Sequence, residues 1–250
     1  MSISLKQHSG FTLVELAVSM SVIGLLIAGV LQGKALIDGA RVTSIGAKVE
    51  EFDNAINNFV ALYDELPGDM TNAQTKIPAC AQSTATCLYD GSPNNGNGNG
   101  QIDGISNITA ADNSVEGIGL WEHLVAAGML NETQINPGTT NIWGVTHPSS
   151  PIGGGFVAMF NPSIPGANPG DDAVSVGAGH FFRLSRLQTG AGTVGTSMLT
   201  PSMAATLDRK MDDGVPNQGR VLAIGASCFA TGIYTVNNNT RNCDMLFGFR

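Results

Sequence analysis

The sequence is poor in charged and aromatic side chains. Only 13% of its 250 residues are charged and 6% are aromatic, whereas 32 residues are glycine. This composition argues against a densely charged cytosolic enzyme and favours a loop-rich secreted or surface domain. Basic residues are also few, and the formal net charge is −8 at pH 7. Because an acidic chain gains no counterion-release energy from phosphates, no nucleic-acid partner is expected.

Sequence motifs of catalysis are missing as well. No G-x-S-x-G elbow occurs, and His123, His147 and His180 are dispersed without an H-x-x-x-H pair that could hold zinc. The glycine run 190–195 matches G-x-G-x-x-G, but Pro201 follows closely and no strand–helix repeats surround it, which favours a surface loop. We therefore predict that the protein is not an enzyme and has no catalytic residue.

Cysteine is rare, and its spacing limits what it can do. The four cysteines are Cys80, Cys87, Cys228 and Cys243. Four cysteines permit three pairings; the short spacings favour Cys80–Cys87 and Cys228–Cys243. A metal site would need closer pairs or nearby histidines. Two disulfides indicate an oxidising compartment.

The N-terminal region lacks both proline and charge. No proline precedes Pro67, and between Lys6 and Lys34 the only charged side chain is Glu15. Residues 11–33 would form about 35 Å of helix, which is enough to cross a hydrocarbon core of about 30 Å. No A-x-A-like cleavage box follows the apolar run. An acid within such a span is costly and indicates a function, although one near its start could also snorkel to the interface.

The run Gly10-Phe11-Thr12-Leu13-Val14-Glu15, with a short leader before it and an apolar helix after it, resembles a type IV prepilin. The pseudopilins of type II secretion systems share this signature. The resemblance implies that a prepilin peptidase removes the leader, residues 1–10, by cutting between Gly10 and Phe11, and that the new amino group of Phe11 is methylated. It also implies that Glu15 faces the positively charged N-terminus of a neighbouring subunit during assembly.

The resemblance implies a structural subunit of a type IV pilus, in which a large, loop-rich domain would suit a minor or tip position. One alternative is a type II secretion pseudopilin; another, from a different class, is a binding domain or enzyme on an uncleaved membrane anchor. The expected partners are other pilin subunits, in a homo- or hetero-polymer, and the prepilin peptidase. The expected location is the bacterial inner membrane before assembly and a surface pilus or periplasmic pseudopilus afterwards.

The pattern beyond the span predicts an α+β fold with an antiparallel sheet and disulfide-bonded loops, and the resemblance to pilins implies that the long helix packs on this sheet. The helix is expected over 11–66, with 11–33 in the membrane or filament core, and a globular periplasmic or extracellular domain over 67–250. An apolar stripe at alternating spacings of three and four comprises Val42, Ile45, Val49, Phe52, Ile56, Phe59 and Tyr63. We interpret it as packing on the protein's own domain; a coiled coil is the alternative.

Strands and short helices are expected in the globular part. Candidate strands are 156–160, 181–187, 221–226, 233–236 and 245–249, and candidate helices are 120–127 and 202–211. Alternation of Phe182 and Leu184 with Arg183 and Ser185 predicts a half-buried strand. Asp212-Asp213-Gly214 is predicted to be a turn between the second helix and the strand that follows.

The stretch NNGNGNGQIDG raises the question of a calcium site. Oxygen-bearing side chains recur at every second residue, with a glycine at the tight turn, as in the first half of an EF-hand loop. These residues are Asn95, Asn97, Asn99, Gln101 and Asp103. Most are neutral amides, and the twelfth position from Asn95 is Ser106 rather than glutamate, so Asp90 or Glu116 would have to complete the site. A flexible surface loop without a metal is the alternative, and no other cofactor is expected.

Overall fold

The computed structural model describes residues 12–81, 87–89, 92–93, 95–103, 115–131, 143–161, 177–186, 197–225 and 227–249. The chain divides into two compact units, Met1–Ala40 and Arg41–Arg250. Gly10, Phe11 and the glycine run 190–195 lie outside the described residues.

The long helix α1 comprises Leu13–Tyr63. Without proline, nothing in its sequence interrupts the backbone hydrogen bonds, and Thr12 precedes its first turn. From Val42 onward its apolar stripe is buried in the second unit, and Tyr63 at the end of the stripe is half-buried. The stripe therefore packs on the protein's own domain, as predicted.

The remaining elements follow in chain order. Two short helices, α2 (Ala73–Lys76) and α3 (Pro78–Ala81), precede two short strands, β1 (Leu88–Tyr89) and β2 (Ser92–Pro93). Next come α4 (Val115–Ala126), β3 (Gly155–Asn161), β4 (Gly179–Ser185) and α5 (Pro201–Met211). The chain continues through β5 (Val221–Ile224), β6 (Phe229–Ala230), β7 (Ile233–Tyr234) and β8 (Asp244–Phe249).

The main sheet of the described residues has the strand order β3-β4-β8-β5, and every neighbouring pair is antiparallel. Its register places Phe182 opposite Ala158 on one side and Phe247 on the other. The α+β architecture with an antiparallel sheet is therefore confirmed. Two disulfides, Cys80–Cys87 and Cys228–Cys243, join the cysteine pairs that the spacing favours.

Aromatic side chains form the centre of the core between α1, α4 and the sheet. The ring of Phe52 contacts those of Trp121, Phe156 and Phe182 in edge-to-face geometry, with centroid distances of 5.0, 5.2 and 5.6 Å. All four side chains are fully buried. These contacts fix the second half of α1 against the sheet and α4.

The prediction of a half-buried β4 is wrong, because both faces of this strand are buried. Arg183, expected in solvent, is 2% exposed, and its Nη2 lies 2.7 Å from Oδ2 of Asp244 on β8. The same side of the sheet carries a second buried apolar cluster made of Met159, Phe181, Leu222, Ile224 and Leu246. A polar residue alternating with apolar ones indicates solvent only when the sheet has an open face, and a buried arginine needs the carboxylate that Asp244 supplies.

Candidate functional sites

Thr12 and Glu15 cap the start of α1 through hydrogen bonds in both directions. The backbone N–H and the hydroxyl of Thr12 both donate to Oε2 of Glu15 at 2.9 Å. In return, the backbone N–H of Glu15 donates to Oγ1 of Thr12 at 3.3 Å. This is the capping box of a threonine followed three residues later by glutamate, which satisfies two N–H groups that a helix start leaves without partners. The motif T-x-x-E is visible in the sequence, but Glu15 was predicted as an assembly contact rather than as a helix cap, and Thr12 was not predicted.

After this cap, the first unit exposes an apolar surface on all sides of the helix. Every large apolar side chain named here is at least half exposed: Leu13, Val14, Leu16, Val18, Met20, Val22, Ile23, Leu25, Leu26, Ile27, Val30, Leu31, Leu36 and Ile37. By length and composition, α1 is the one described helix that could cross a membrane. Apolar surface of this extent is not stable in water and must be covered by lipid or by other helices.

The loop of residues 95–103 encloses a carboxylate that comes from far away in the sequence. Oδ1 of Asp69 accepts from the backbone N–H groups of Gly98 at 2.7 Å and Asn99 at 3.1 Å. Oδ2 of Asp69 accepts from Gly100 N–H at 2.7 Å. A Cβ atom on Gly96 would lie 2.2 Å from the Cα atom of Asp69, so only glycine permits this close approach of the loop to the turn after α1. Asp69 was not among the predicted site residues.

A second carboxylate reaches the loop from the first turn of α4. Oε1 of Glu116 accepts from Asn97 N–H at 3.0 Å, and Oε2 accepts from Asp103 N–H. Glu116 is 6% exposed. Burial raises the pKa of its carboxyl above the ordinary value; the two N–H donors lower it, and the charges of Asp103 and Asp69 raise it. Glu116, which the sequence offered as one residue that could complete a site with the loop, thus lies beside it.

The side chains that the sequence suggested as calcium ligands have different hydrogen-bond partners in this loop. Asn97 Nδ2 and Asn99 Nδ2 donate to the same oxygen, Oδ2 of Asp103, at 2.6 and 2.7 Å. The side-chain oxygens of Asn97 and Asn99 accept from the N–H groups of Asn99 and Gln101, at 2.9 and 2.8 Å. By contrast, Asn95 Oδ1 accepts from Ala73 N–H at 3.1 Å, which ties it to the start of α2. Asp90 and Ser106 lie outside the described residues.

The histidines have separate structural environments. His123 Nδ1 accepts from Gly68 N–H at 2.9 Å and so connects α4 to the turn that carries Asp69. His147 is fully buried, and desolvation lowers its pKa to about 3. Burial also lowers the pKa of His180 on β4. His147 and His180 are therefore neutral side chains at physiological pH.

Three other carboxylates, those of Asp208, Asp212 and Asp213, lie close together at the end of α5. The oxygens of Asp208 accept from Tyr234 Oη at 2.7 Å and from Gly214 N–H at 3.1 Å. Asp212 Oδ2 accepts from Val221 N–H at 2.9 Å. The group holds the turn between α5 and β5, where a turn was predicted.

Comparison with known proteins gives one result at the N-terminus. A family model described as the prokaryotic N-terminal methylation motif matches residues 5–31. This motif is the signature of type IV pilins and pseudopilins, and the chain carries it. The motif and the exposed apolar part of α1, most of which the motif covers, fit a membrane-anchored precursor. The motif is typical of structural proteins, and it implies processing by a prepilin peptidase and assembly with other pilin subunits. No curated protein and no solved structure matches the chain.

Proposed function

We propose that this protein is a structural subunit of a type IV pilus, in a minor or tip position. The observation that carries the proposal is the methylation motif at residues 5–31, which includes most of the exposed apolar part of α1. The helix would lie in the inner membrane before assembly and among the helices of other subunits afterwards. Residues 41–250, with two disulfides and a core of their own, would form the part that faces the outside of the filament.

In this proposal, cleavage between Gly10 and Phe11 creates the amino group that Glu15 needs as a partner. A carboxylate in an apolar environment is costly unless a positive charge compensates it. Within a single chain, the carboxylate of Glu15 accepts two hydrogen bonds from Thr12 in the capping box. In the filament, its carboxylate would pair with the methylated amine of Phe11 in a neighbouring subunit. Glu15 therefore has two successive roles, first as a helix cap and then as an assembly contact.

Two alternatives make different predictions. A type II secretion pseudopilin would have the same processed N-terminus but would remain in the periplasm. A binding domain or enzyme on a simple anchor would keep Met1, because no peptidase would remove the leader. The state of the N-terminus and the cellular fraction therefore distinguish the three functions.

The processing step is tested at Gly10. A residue without a side chain lets the scissile bond approach a protease closely. We expect Gly10→Ala to be processed in part, whereas Gly10→Trp accumulates as the uncleaved precursor. The intact mass of protein from membranes measures the processed fraction. Gly33→Trp is the matched control, since a Cβ atom there meets nothing within 4 Å, and it should be processed normally. Normal processing of Gly10→Trp would refute the peptidase assignment.

A further inference from the structure

We propose that Asn97 and Asn99 are sites of spontaneous deamidation, and that the carboxylates of Asp69 and Asp103 keep this reaction slow while the loop is closed. The reaction is a chemical modification of the loop of residues 95–103, so it goes beyond a structural role in a filament. Its test does not depend on whether the protein assembles.

The sequence of the loop supplies the first argument. Asparagine is followed by glycine three times, at 95–96, 97–98 and 99–100, and nowhere else in the sequence. In such a pair, the backbone nitrogen of the glycine can attack the side-chain carbonyl carbon of the asparagine. Glycine hinders this attack least, because it has no side chain. The sequence therefore places a pair that is reactive in this way three times in one loop.

Deamidation of an asparagine–glycine pair requires only hydroxide and water. Hydroxide first removes the proton of the glycine N–H group. The nitrogen then forms a bond to Cγ of the asparagine, and the side-chain nitrogen takes up a proton and leaves as ammonia, which regenerates hydroxide. Water opens the resulting succinimide ring and leaves aspartate or isoaspartate. No oxidant, reductant or cofactor is consumed.

Solvent reaches the pairs at 97–98 and 99–100, but their glycine N–H groups are bonded to a carboxylate. Residues 97–100 are exposed, whereas Asp69 is only 4% exposed. Asp69 accepts from Gly98 N–H through Oδ1 and from Gly100 N–H through Oδ2, each at 2.7 Å. Removal of either proton would leave a negative nitrogen against a carboxylate, and like charges at this distance repel each other. The electron pair so formed would also point to Asp69 and not to the asparagine side chain.

The side chains of Asn97 and Asn99 are held at both ends of their amides. Each Nδ2 donates to Oδ2 of Asp103, at 2.6 Å from Asn97 and 2.7 Å from Asn99. Each Oδ1 accepts from the backbone N–H group two residues later, at 2.9 and 2.8 Å. These hydrogen bonds restrict the rotation that would bring Cγ to the glycine nitrogen. Ring closure therefore requires that the loop open locally first.

Deamidation would also break the arrangement that slows it. A carboxylate at position 97 or 99 would place an oxygen against Oδ2 of Asp103, where an N–H donor lies in the intact loop. Two negative charges at hydrogen-bond distance destabilise the closed loop. We therefore expect modification at one of these positions to accelerate modification at the other.

The test is the rate of deamidation at each asparagine of the full-length chain in detergent micelles, incubated in mildly alkaline buffer. Peptide mass spectrometry at successive times locates the change from amide to carboxylate. The same chain unfolded in urea gives the rates without the hydrogen bonds of the loop. We expect Asn97 and Asn99 to react at least about tenfold more slowly in the native chain. This factor corresponds to about 1.4 kcal/mol, near the low end for hydrogen bonds to a charged group.

Two variants weaken the closed loop at different points. Asp69→Asn replaces one of the two accepting oxygens by an NH₂ group, and Asp103→Ala removes the acceptor of both amides. Asp103 is only partly buried, so its substitution leaves the core intact. Each variant should recover most of the difference of about tenfold between the native and the unfolded chain at Asn97 and Asn99.

The matched control is Asp212→Asn. Its carboxylate also accepts from backbone N–H groups, those of Arg220 and Val221, but lies in the turn after α5. This variant should react at Asn97 and Asn99 as the unmodified chain does, and circular dichroism checks that each variant is folded. The proposal is overturned if the native chain reacts as fast as the chain in urea. It is also overturned if neither loop variant is faster, or if Asp212→Asn accelerates the reaction equally.

Discussion

Glu15→Ala is expected to leave cleavage after Gly10 intact and to remove the protein from filaments. The peptidase acts on the bond before Phe11, whereas the Glu15 carboxylate would be needed only when a neighbouring amine enters an apolar environment. Without the carboxylate, that amine would lose its partner at the moment of desolvation, which costs several kcal/mol per ion. The measurement is the amount of the protein in sheared surface fibres relative to membranes, together with its intact mass.

A second variant separates the helix-capping role of Glu15 from the assembly role proposed for it. Glu15→Gln keeps an oxygen that can accept from Thr12, so the capping box can form, but it removes the negative charge. If charge pairing drives assembly, Glu15→Gln is excluded from filaments like Glu15→Ala. If helix capping alone matters, Glu15→Gln assembles normally and the assembly role is refuted. Ser21→Ala, which removes one hydroxyl bonded within the same helix, is the control and should assemble.

Phe52→Ala is expected to destabilise the second unit by about 3–5 kcal/mol, as for other buried aromatic truncations. Phe52 is fully buried, and its ring contacts three aromatic rings that belong to α4, β3 and β4. Its removal would leave a cavity where these elements meet. Urea unfolding of the processed chain in micelles measures the loss through the fluorescence of Trp121, whose ring centroid lies 5.0 Å from that of Phe52.

The control for this prediction is Leu62→Ala on the same helix. Leu62 is 66% exposed, so its truncation should change the free energy of unfolding by less than about 0.5 kcal/mol. A loss below about 1 kcal/mol for Phe52→Ala would mean that α1 is not fixed to the sheet through this residue. The stripe from Val42 to Tyr63 would then need a different interpretation.

Periodic features were predicted well because they depend on local spacing. The stripe of α1 has the period of a helix, and burial of one face is enough to define it. The strands at 156–160 and 245–249 appear within one residue at each end, as Gly155–Asn161 and Asp244–Phe249. Helix α4 begins at Val115, five residues before the predicted start at 120, and its first turn includes Glu116, which contacts the loop.

Features that depend on distant residues were not predictable in the same way. Arg183 resembled a solvent-facing residue because its partner Asp244 is 61 residues away. Asp69 precedes the asparagine-rich loop by 26 residues counted to Asn95, and no spacing rule connects the two. Thr12 is the opposite case, since its capping partner is only three residues away and its motif was readable. The sequence therefore pointed to the loop residues and to Glu116, but not to Asp69.

The most direct test of the proposed function is mass spectrometry of the N-terminal peptide, from sheared surface fibres and from the cell envelope. A pilus subunit should give a peptide that begins at methylated Phe11 and is abundant in the sheared fraction. The same peptide confined to the envelope would contradict a pilus subunit and favour a pseudopilin. An intact Met1 in both fractions would contradict processing altogether and leave a simple membrane anchor.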